Sequence, residues 1–201
     1  NNPVKYVDPN GLDLQLAGTK EEQEMLLAML QRLTNYKLIL HQNGTVTHSI
    51  VKTENKNSDY QVGNTLLEQL CDQSSDTKTT TISITDQKSI THPADENAYN
   101  GVGSNAEIRF NPNENPSLIT QNEISKQVQQ EGRPAYIGLA HELIHGMHIN
   151  SGAARPKTIK LQSITTINGE KYLETLPLEE AITVGLHGVT SKGPTENKIR
   201  R

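Results

Sequence analysis

The segment "PAYIGLAHELIHGMHIN" (residues 134–150) constrains the fold most, because it is apolar and yet carries three histidines and a glutamate. Pro134 suits the first position of a helix, since its φ angle is already helical and its missing N–H would have no partner there. The spacing of apolar residues then predicts a helix to about Asn150. A helix this apolar should be buried. Histidine side chains without hydrogen-bond or metal partners are unusual in a buried helix.

His141 and His145 lie on one side of this helix, because four residues complete about one turn. Two imidazole nitrogens at this spacing can bind one zinc ion. Glu142 can hold a water molecule that the zinc polarises and accept its proton. The alternative is a helix whose histidines bind no metal, but an apolar helix with a clear start is the context that a zinc hydrolase requires. The pattern therefore predicts a zinc site with Glu142 as the catalytic base.

The third protein ligand of a catalytic zinc must come from elsewhere in the chain. His148 lies about 10.5 Å from His141 along the helix axis, too far for the same ion. We expect His148 to support the site or line the cleft, with an ordinary helix-end histidine as the alternative. The paired Glu179 and Glu180 are favoured ligands, although acids are also common at helix N-termini. The downstream candidates are Glu170, Glu174, Glu179, Glu180, His187 and Glu196.

Four further helices are predicted from apolar spacing and capping patterns. Two follow the capping boxes Thr19–Glu22 and Thr65–Glu68, one covers the polar residues 121–130, and the last begins at residues 176–180. The tail after Gly188 is expected to be a loop.

Strands are predicted from alternating residues and from turn signals. Asn-Gly pairs predict hairpins at Asn43–Gly44 and Asn168–Gly169, and residues 77–86 and 106–112 predict strands. Residues 86–106 are expected to form a polar loop. The predicted fold class is α+β, with a small mixed or antiparallel sheet and a central helix that carries the histidines.

Composition narrows the range of partners. The net charge of −4 without a basic stripe argues against a nucleic-acid partner. The sequence contains no run of 18 apolar residues, so no membrane span is predicted. The N-terminus lacks the layout of a signal peptide, so export would need another carrier. Cys71 is the single cysteine, which excludes an intrachain disulfide and a cysteine zinc site. With 33% apolar and 3% aromatic residues, the core must be small.

Two families resemble the chain at these motifs. "HELIH" followed by "LEEAITVG" is similar to the gluzincin pattern of clostridial neurotoxin light chains. A closer resemblance is to the NleD-like effector zinc metallopeptidases, through "GVGSNAEIRFNPN" (101–113), "GLAHELIHGMH" (138–148), "LPLEEAITVGL" (176–186) and "PTENKIRR" (194–201). The resemblance implies a zincin-like fold with one zinc ion. It assigns the ion to His141, His145 and Glu180, with Glu179 in support.

Further site residues are expected with less direct support. By the same resemblance, Arg200 would steady an oxyanion or the glutamates, with a plain charged tail as the alternative. Tyr172 is an oxyanion donor by chemistry alone, and packing on the sheet is its alternative. By analogy with zincin edge strands, residues 106–110 would pair with an extended substrate. Gly101 and Gly103 would leave room for that substrate, or simply form a turn.

The first residues, "NNPVKYVDPNGLD", resemble the end of an RHS-repeat core, whose signature is N-P-x-x-Y-x-D-P-x-G-L. The resemblance implies that the parent protein cuts itself near Leu12–Asp13. Residues 1–12 would then be the end of the RHS core and residues 13–201 a zinc metallopeptidase toxin domain. A turn rich in proline and glycine is the alternative.

Together the two resemblances imply a polymorphic toxin whose zinc endopeptidase domain is delivered into the cytoplasm of a target cell. Its expected partners are a protein substrate in that cell, the RHS shell and a cognate immunity protein. Two other functions stay open. One is a non-catalytic binding module stapled by zinc, and the other is a metal-dependent amidase that acts on cell-wall peptide.

Overall fold

The main sheet of the protein has six strands, seen in a computed structural model. They are β1 (Asp13–Leu16), β2 (Lys37–Leu40), β3 (Thr45–Ser49), β4 (Thr79–Ile84), β5 (Ile90–Pro93) and β6 (Ala106–Phe110), in the spatial order β2-β3-β1-β4-β6-β5. The structure describes residues 13–49, 60–71, 78–114, 118–121, 128–131, 133–155, 158–160, 164–165, 171–172, 175–186 and 193–199.

The sheet is mixed. Strand β4 runs parallel to both β1 and β6, and the other neighbours are antiparallel. The β2–β3 hairpin turns at Asn43–Gly44, which confirms that prediction. Strand β6 alternates buried and exposed residues, so only one face of the sheet packs against the core.

Three helices cover this buried face, namely α1 (Lys20–Gln31), α2 (Gln61–Cys71) and α3 (Ala135–Asn150). The capping box of Thr19 and Glu22 begins α1 as predicted. Helix α3 is buried at every position from Ile137 to Asn150, which confirms that it is the central helix. The α+β class is therefore confirmed. The core between the helices and the sheet consists mainly of Leu14, Leu16, Leu26, Leu30, Leu66, Leu67, Leu70, Ile82, Ile108, Leu139, Leu143 and Ile144.

The C-terminal half adds short elements. They are β7 (Leu118–Gln121), β8 (Val128–Glu131), β9 (Thr158–Lys160), β10 (Ile164–Thr165), β11 (Lys171–Tyr172), β12 (Thr175–Pro177), α4 (Leu178–Val184) and α5 (Glu196–Ile199). Strands β10 and β11 pair antiparallel, as the second predicted hairpin requires, while its turn lies outside the described residues. None of the helices described is long and apolar enough to cross a membrane.

Four local predictions were wrong. Helix α2 begins at Gln61, so Thr65 is inside it and donates its hydroxyl to the Gln61 carbonyl instead of capping. The expected helix over 121–130 is replaced at both ends by the antiparallel strands β7 and β8. The expected loop over 86–106 contains β5 and a 3-10 helix, Glu96–Tyr99. The tail also contains α5.

The position of β6 corrects the expected edge strand. Strand β6 lies between β4 and β5 and pairs with both, so its backbone is not open to a substrate. The end strand beside the central helix is β5. Its short, polar sequence "ITHP" gave no signal of alternation, and its position depends on pairing with β6.

Candidate metal centre and active site

Helix α3 has two sides with different partners. Leu139, Leu143 and Gly146 fall within about 60° of one another around the helix axis. A methyl group at Gly146 would lie 3.3 Å from Thr80 of β4, which shows how closely this side approaches the sheet. His141, His145 and His148 lie about 180–240° around the axis from Leu139. The histidines therefore face away from the sheet, towards the C-terminal segments.

Three side chains form a triangle of potential metal ligands on this side, to which Glu180 contributes both carboxylate oxygens. The Nε2 atoms of His141 and His145 are 3.1 Å apart. Glu180 places Oε2 at 3.1 Å from the first of them and Oε1 at 3.2 Å from the second. These three residues form the only group of metal-ligand type found in the described part of the chain. They are the residues that the sequence and the resemblance selected.

The donor set fits a zinc ion. Two histidine nitrogens and one carboxylate oxygen are ligands of a catalytic zinc, at about 2.0–2.2 Å from the ion. Corners of a tetrahedron of that radius are separated by about 3.3–3.6 Å, slightly more than the observed 3.1–3.2 Å. The Glu180 side chain is 39% exposed, whereas the His141 and His145 side chains are 9% and 11% exposed. The triangle thus opens towards solvent beside Glu180, where a fourth ligand can enter.

The outer nitrogens of both histidines contact carboxylates. His141 Nδ1 lies 2.9 Å from Glu196 Oε2, and the Glu196 side chain is only 1% exposed. His145 Nδ1 lies 3.3 Å from Glu179 Oε1 and 3.3 Å from the Thr183 hydroxyl. A histidine that donates its Nδ1–H in this way holds the lone pair of Nε2 towards a metal. These contacts orient both rings so that their Nε2 atoms can bind a metal ion.

The electrostatics of the cluster favour a cation. Burial alone would lower the pKa of His141, but hydrogen bonds to Glu180 and Glu196 outweigh it and raise that pKa to about 10. The pKa of His145 is also raised, because Glu179 and Glu180 overcome its burial. Burial would raise the pKa of Glu180, but both histidines hold it well below its usual range. Positive charge is thus strongly stabilised at this point.

Glu179, in α4, contacts both α3 and the chain that follows α3. Its Oε1 accepts from His148 Nδ1 at 2.6 Å as well as from His145, and its Oε2 accepts the Arg155 N–H at 2.6 Å. Despite burial, these histidines lower the pKa of Glu179 to about 2. His148 therefore contacts the same carboxylate as His145.

Helix α5 reaches the site because α4 ends at a glycine. Gly185 has φ +84°, a conformation that other residues rarely adopt. A methyl group there would lie 2.6 Å from the Thr195 hydroxyl, so the chain before Glu196 packs directly on this turn. Arg133 Nη1, at the other end of the site, lies 3.5 Å from Glu196 Oε2. Glu196 is thus held between Arg133 and His141.

Glu142 points to a different neighbour. It is 6% exposed, and its Oε2 accepts a hydrogen bond of 2.7 Å from the hydroxyl of Thr91 on β5. The same hydroxyl lies 3.3 Å from the Glu142 carbonyl. The Glu142 carboxylate is therefore held against β5 by Thr91.

The remaining predicted residues are placed as follows. Tyr172 is in β11, but its side chain lies outside the described part, as do His187 and Arg200. Gly101 and Gly103 lie in the loop beside the end of α3. Gly101 donates its N–H to the Gly152 carbonyl at 3.0 Å, and a methyl group at Gly103 would lie 1.8 Å from the Asn150 carbonyl. The space beside Gly103 is occupied by α3, so this glycine serves packing here.

Sequence reasoning missed two residues of the site and left the role of a third open. Neither Thr91 nor Arg133 belongs to a motif, and both come near the site only through folding. Glu196 was considered as a third metal ligand, yet it contacts the outer nitrogen of His141. Its place in the "PTENKIRR" segment was the one available signal.

An α+β fold with a buried His-Glu-x-x-His helix and a downstream glutamate defines a metallopeptidase of the His-His-Glu type. The chain belongs to the Peptidase_M91 family, described as "Effector protein", which matches residues 48–201. The protein is therefore a metallopeptidase of an effector family, as the sequence predicted. No curated protein matches the chain.

Solved neurotoxin light chains are distantly similar. The type C botulinum neurotoxin light chain with zinc removed has 16% identity and a TM-score of 0.39, over 81% of this chain and 42% of that chain. The serotype C1 light chain protease has 18% identity and a TM-score of 0.38, over 80% and 42%. The serotype HA light chain has 14% identity and a TM-score of 0.34, over 84% and 41%. The matched part spans less than half the length of each of these chains.

Proposed function

We propose that the protein is a zinc-dependent endopeptidase that cleaves a protein of the target cell. One zinc ion is bound by His141, His145 and Glu180, and Glu142 is the general base and acid. The observation that carries this proposal is the approach of His141, His145 and Glu180, whose ligand atoms lie 3.1–3.2 Å apart.

The residues of the site divide the work of peptide hydrolysis. A zinc ion held by His141, His145 and Glu180 would acidify a water molecule and polarise the substrate carbonyl. Glu142 takes the proton of the attacking water and passes it to the leaving amine. Glu196 and Glu179 hold the two histidine rings in the orientation that directs their Nε2 atoms to the ion. Tyr172 and Arg200 stay candidates for oxyanion stabilisation.

The substrate is proposed to bind as an extended strand along β5. This replaces the expectation for residues 106–110, because β6 is paired on both sides. Strand β5 lies next to Glu142 through Thr91 and is the end strand of the sheet. A peptide added to it would pass close to the general base.

Delivery is proposed to depend on the RHS core, with release near Leu12–Asp13 and action in the cytoplasm of the target cell. One fact supports this boundary: Asp13 begins β1, which lies inside the sheet between β3 and β4. A cut further along would remove an interior strand. A cognate immunity protein would protect the producing cell.

The rival functions make different demands on the site. A zinc staple without catalysis needs a fourth protein ligand to close the coordination shell. His148 was the candidate for that position, but its Nδ1 bonds Glu179 and it lies two turns from His141. Glu142, the residue after His141, further favours catalysis over a purely structural ion. An amidase that acts on the cell wall would use the same site and differs in where it is toxic.

The test is to express residues 13–201 in the cytoplasm, and separately with an export signal, as wild type and as Glu142→Gln. Mapping of new protein N-termini should reveal cleaved proteins only with the active cytoplasmic form. Glu107→Gln, on the exposed face of β6, is the matched control and should cleave normally. Full cleavage by zinc-loaded Glu142→Gln would refute the mechanism, and toxicity restricted to the exported form would favour the wall amidase.

A further inference from the structure

Strand β5 combines an open edge with a contact to the general base. Within the described part of the chain, no strand pairs with its outer edge. Its other edge pairs antiparallel with β6, in a register that places Thr91 opposite Ile108. Which backbone groups of β5 face outwards follows from this register.

The hydrogen bond of Ala94 shows which residues of β5 direct their backbone groups towards β6. Ala94 follows the strand, lies opposite Asn105 when the register is continued, and donates its N–H to the Asn105 carbonyl at 2.9 Å. In an antiparallel pair, every second residue bonds the partner strand and the residues between them direct N–H and C=O the other way. Residues 90 and 92 therefore bond β6, and Thr91 and Pro93 face the outer edge.

Ser89 provides an independent check of this phase. It should not bond the β6 backbone in this phase, and its N–H donates to the side chain of Glu114, to Oε2 at 2.5 Å. Pro93 has no N–H to offer. Within β5, Thr91 is thus the residue that presents both a backbone donor and a backbone acceptor to an added strand.

The side chain of Thr91 points to the catalytic centre. Its hydroxyl donates to Glu142 Oε2 at 2.7 Å, and Glu142 is buried. A charge-assisted bond of this length restricts the carboxylate to one orientation. One residue therefore contacts the general base through its side chain and offers its backbone to the open edge.

We infer that Thr91 is a positioning residue that couples docking of an extended peptide strand on β5 to the orientation of the Glu142 carboxylate. The inference rests on the proposed function, because it takes Glu142 as the base and a peptide as the substrate. A peptide that is hydrogen-bonded to the Thr91 backbone would hold β5 in place. Because the Thr91 hydroxyl belongs to the same strand, its contact with Glu142 would then be held in place as well. The scissile carbonyl and the base are then aligned by the same residue.

Two variants separate the hydroxyl from the strand. Thr91→Val keeps the shape and the backbone groups but removes the hydroxyl, whereas Thr91→Ser keeps the hydroxyl. With a peptide that spans the bond mapped in cells, Thr91→Val should lower kcat about tenfold to a hundredfold and leave KM within about twofold. Thr91→Ser should restore most of kcat. Thr81→Val, at a half-buried position of β4 between the buried Thr80 and Ile82, is the matched control and should change neither.

A third variant tests whether the peptide docks on the backbone of Thr91. Thr91→Pro removes the outward N–H as well as the hydroxyl, and an edge strand tolerates proline where the N–H faces outwards. It should lower kcat as Thr91→Val does and in addition raise KM several-fold. An unchanged KM in a folded Thr91→Pro protein would refute strand docking at this residue.

A crystallographic arm needs no substrate. In the zinc-loaded Thr91→Val protein the Glu142 carboxylate should leave its position beside residue 91, and in Thr91→Ser it should remain. A carboxylate that stays in place in Thr91→Val overturns the inference, as does a kcat equal to that of the wild type. Cleavage by Glu142→Gln, in contrast, refutes the proposed function and leaves the crystallographic contact as found.

Discussion

Helix α3 lies between two regions that are held together differently. On one side, the sheet with α1 and α2 packs through fully buried leucines and isoleucines. On the other side, α4 and α5 have 7 and 4 residues, lengths at which a helix is unstable alone. Their contacts with α3 include a concentrated set of carboxylate–imidazole pairs. We call residues 13–49, 60–71 and 78–114 the sheet region, and residues 175–186 and 193–199 the ligand segments.

The difference separates stability from ligation. The sheet region is stabilised by the removal of apolar area from water, and this stabilisation needs no bound ion or ligand. In the ligand segments, three glutamates lie around two histidines, an arrangement that favours a bound cation. The sheet region should therefore be stable without metal, while the ligand segments should depend on it. The following predictions test this contrast, from the largest expected effect to the smallest.

Removal of zinc should release the ligand segments and leave the sheet region folded. Structural zinc sites contribute on the order of 10 kcal/mol of binding free energy at neutral pH, so loss of the ion is the largest perturbation available. Hydrogen exchange measured by mass spectrometry, with and without a chelator, should show faster exchange in residues 178–186 and 193–199. If the chelator increased the exchange rates of both regions equally, the proposed difference between them would be wrong. Adding zinc back to the chelated protein is the control.

Leu143→Ala should destabilise the whole protein. Leu143 is fully buried in α3 on the side of the sheet, and such a truncation costs about 2–5 kcal/mol. Urea denaturation should show one transition shifted to lower concentration. Met25→Ala, at an exposed position of α1, should change stability by less than about 0.5 kcal/mol. A Leu143→Ala protein as stable as this control would contradict the role given to the core.

Glu196→Gln should weaken zinc binding and spare the sheet region. The amide keeps the shape but binds His141 Nδ1 less strongly, and loss of such an outer contact typically costs tenfold to a hundredfold in metal affinity, about 1.4–2.7 kcal/mol. Competition with a zinc chelator measures this, and Glu107→Gln should leave the affinity unchanged. Unaltered affinity in Glu196→Gln would show that His141 is oriented by other contacts.

Tyr36 gives the smallest effect, and it is confined to the sheet region. Its hydroxyl donates to Glu68, which raises the pKa of Tyr36 to about 12. The raised pKa stabilises the fold fully below about pH 10, the value in the unfolded chain, and this contribution is lost as the pH rises towards 12.

Tyr36→Phe should cost about 1 kcal/mol at neutral pH and remove this decline. Urea denaturation between about pH 7 and pH 11 measures the difference from the wild type. If both proteins lost stability equally between about pH 10 and pH 11, the hydrogen bond would not be its source.

Several features could be predicted from the sequence because they depend on residues close together in the chain. The apolar spacing predicts α3, and one helical turn brings His141 and His145 to the same side. The two hairpins were predicted from their Asn-Gly pairs for the same reason. Residues 121–130 show the limit of such reasoning. Their glutamines favour a helix by propensity, yet strand pairing between β7 and β8 prevails.

The sequence by itself determined the helix, the two histidines on one side of it and the adjacent Glu142, since all of them follow from spacing within a few residues. Only the tertiary structure decided that Glu180 faces the inner nitrogens while Glu179 and Glu196 face the outer ones. It likewise placed Thr91 beside Glu142 and made β5 the edge strand. These contacts join residues 34 to 55 positions apart, so they depend on how whole elements pack and not on local propensity.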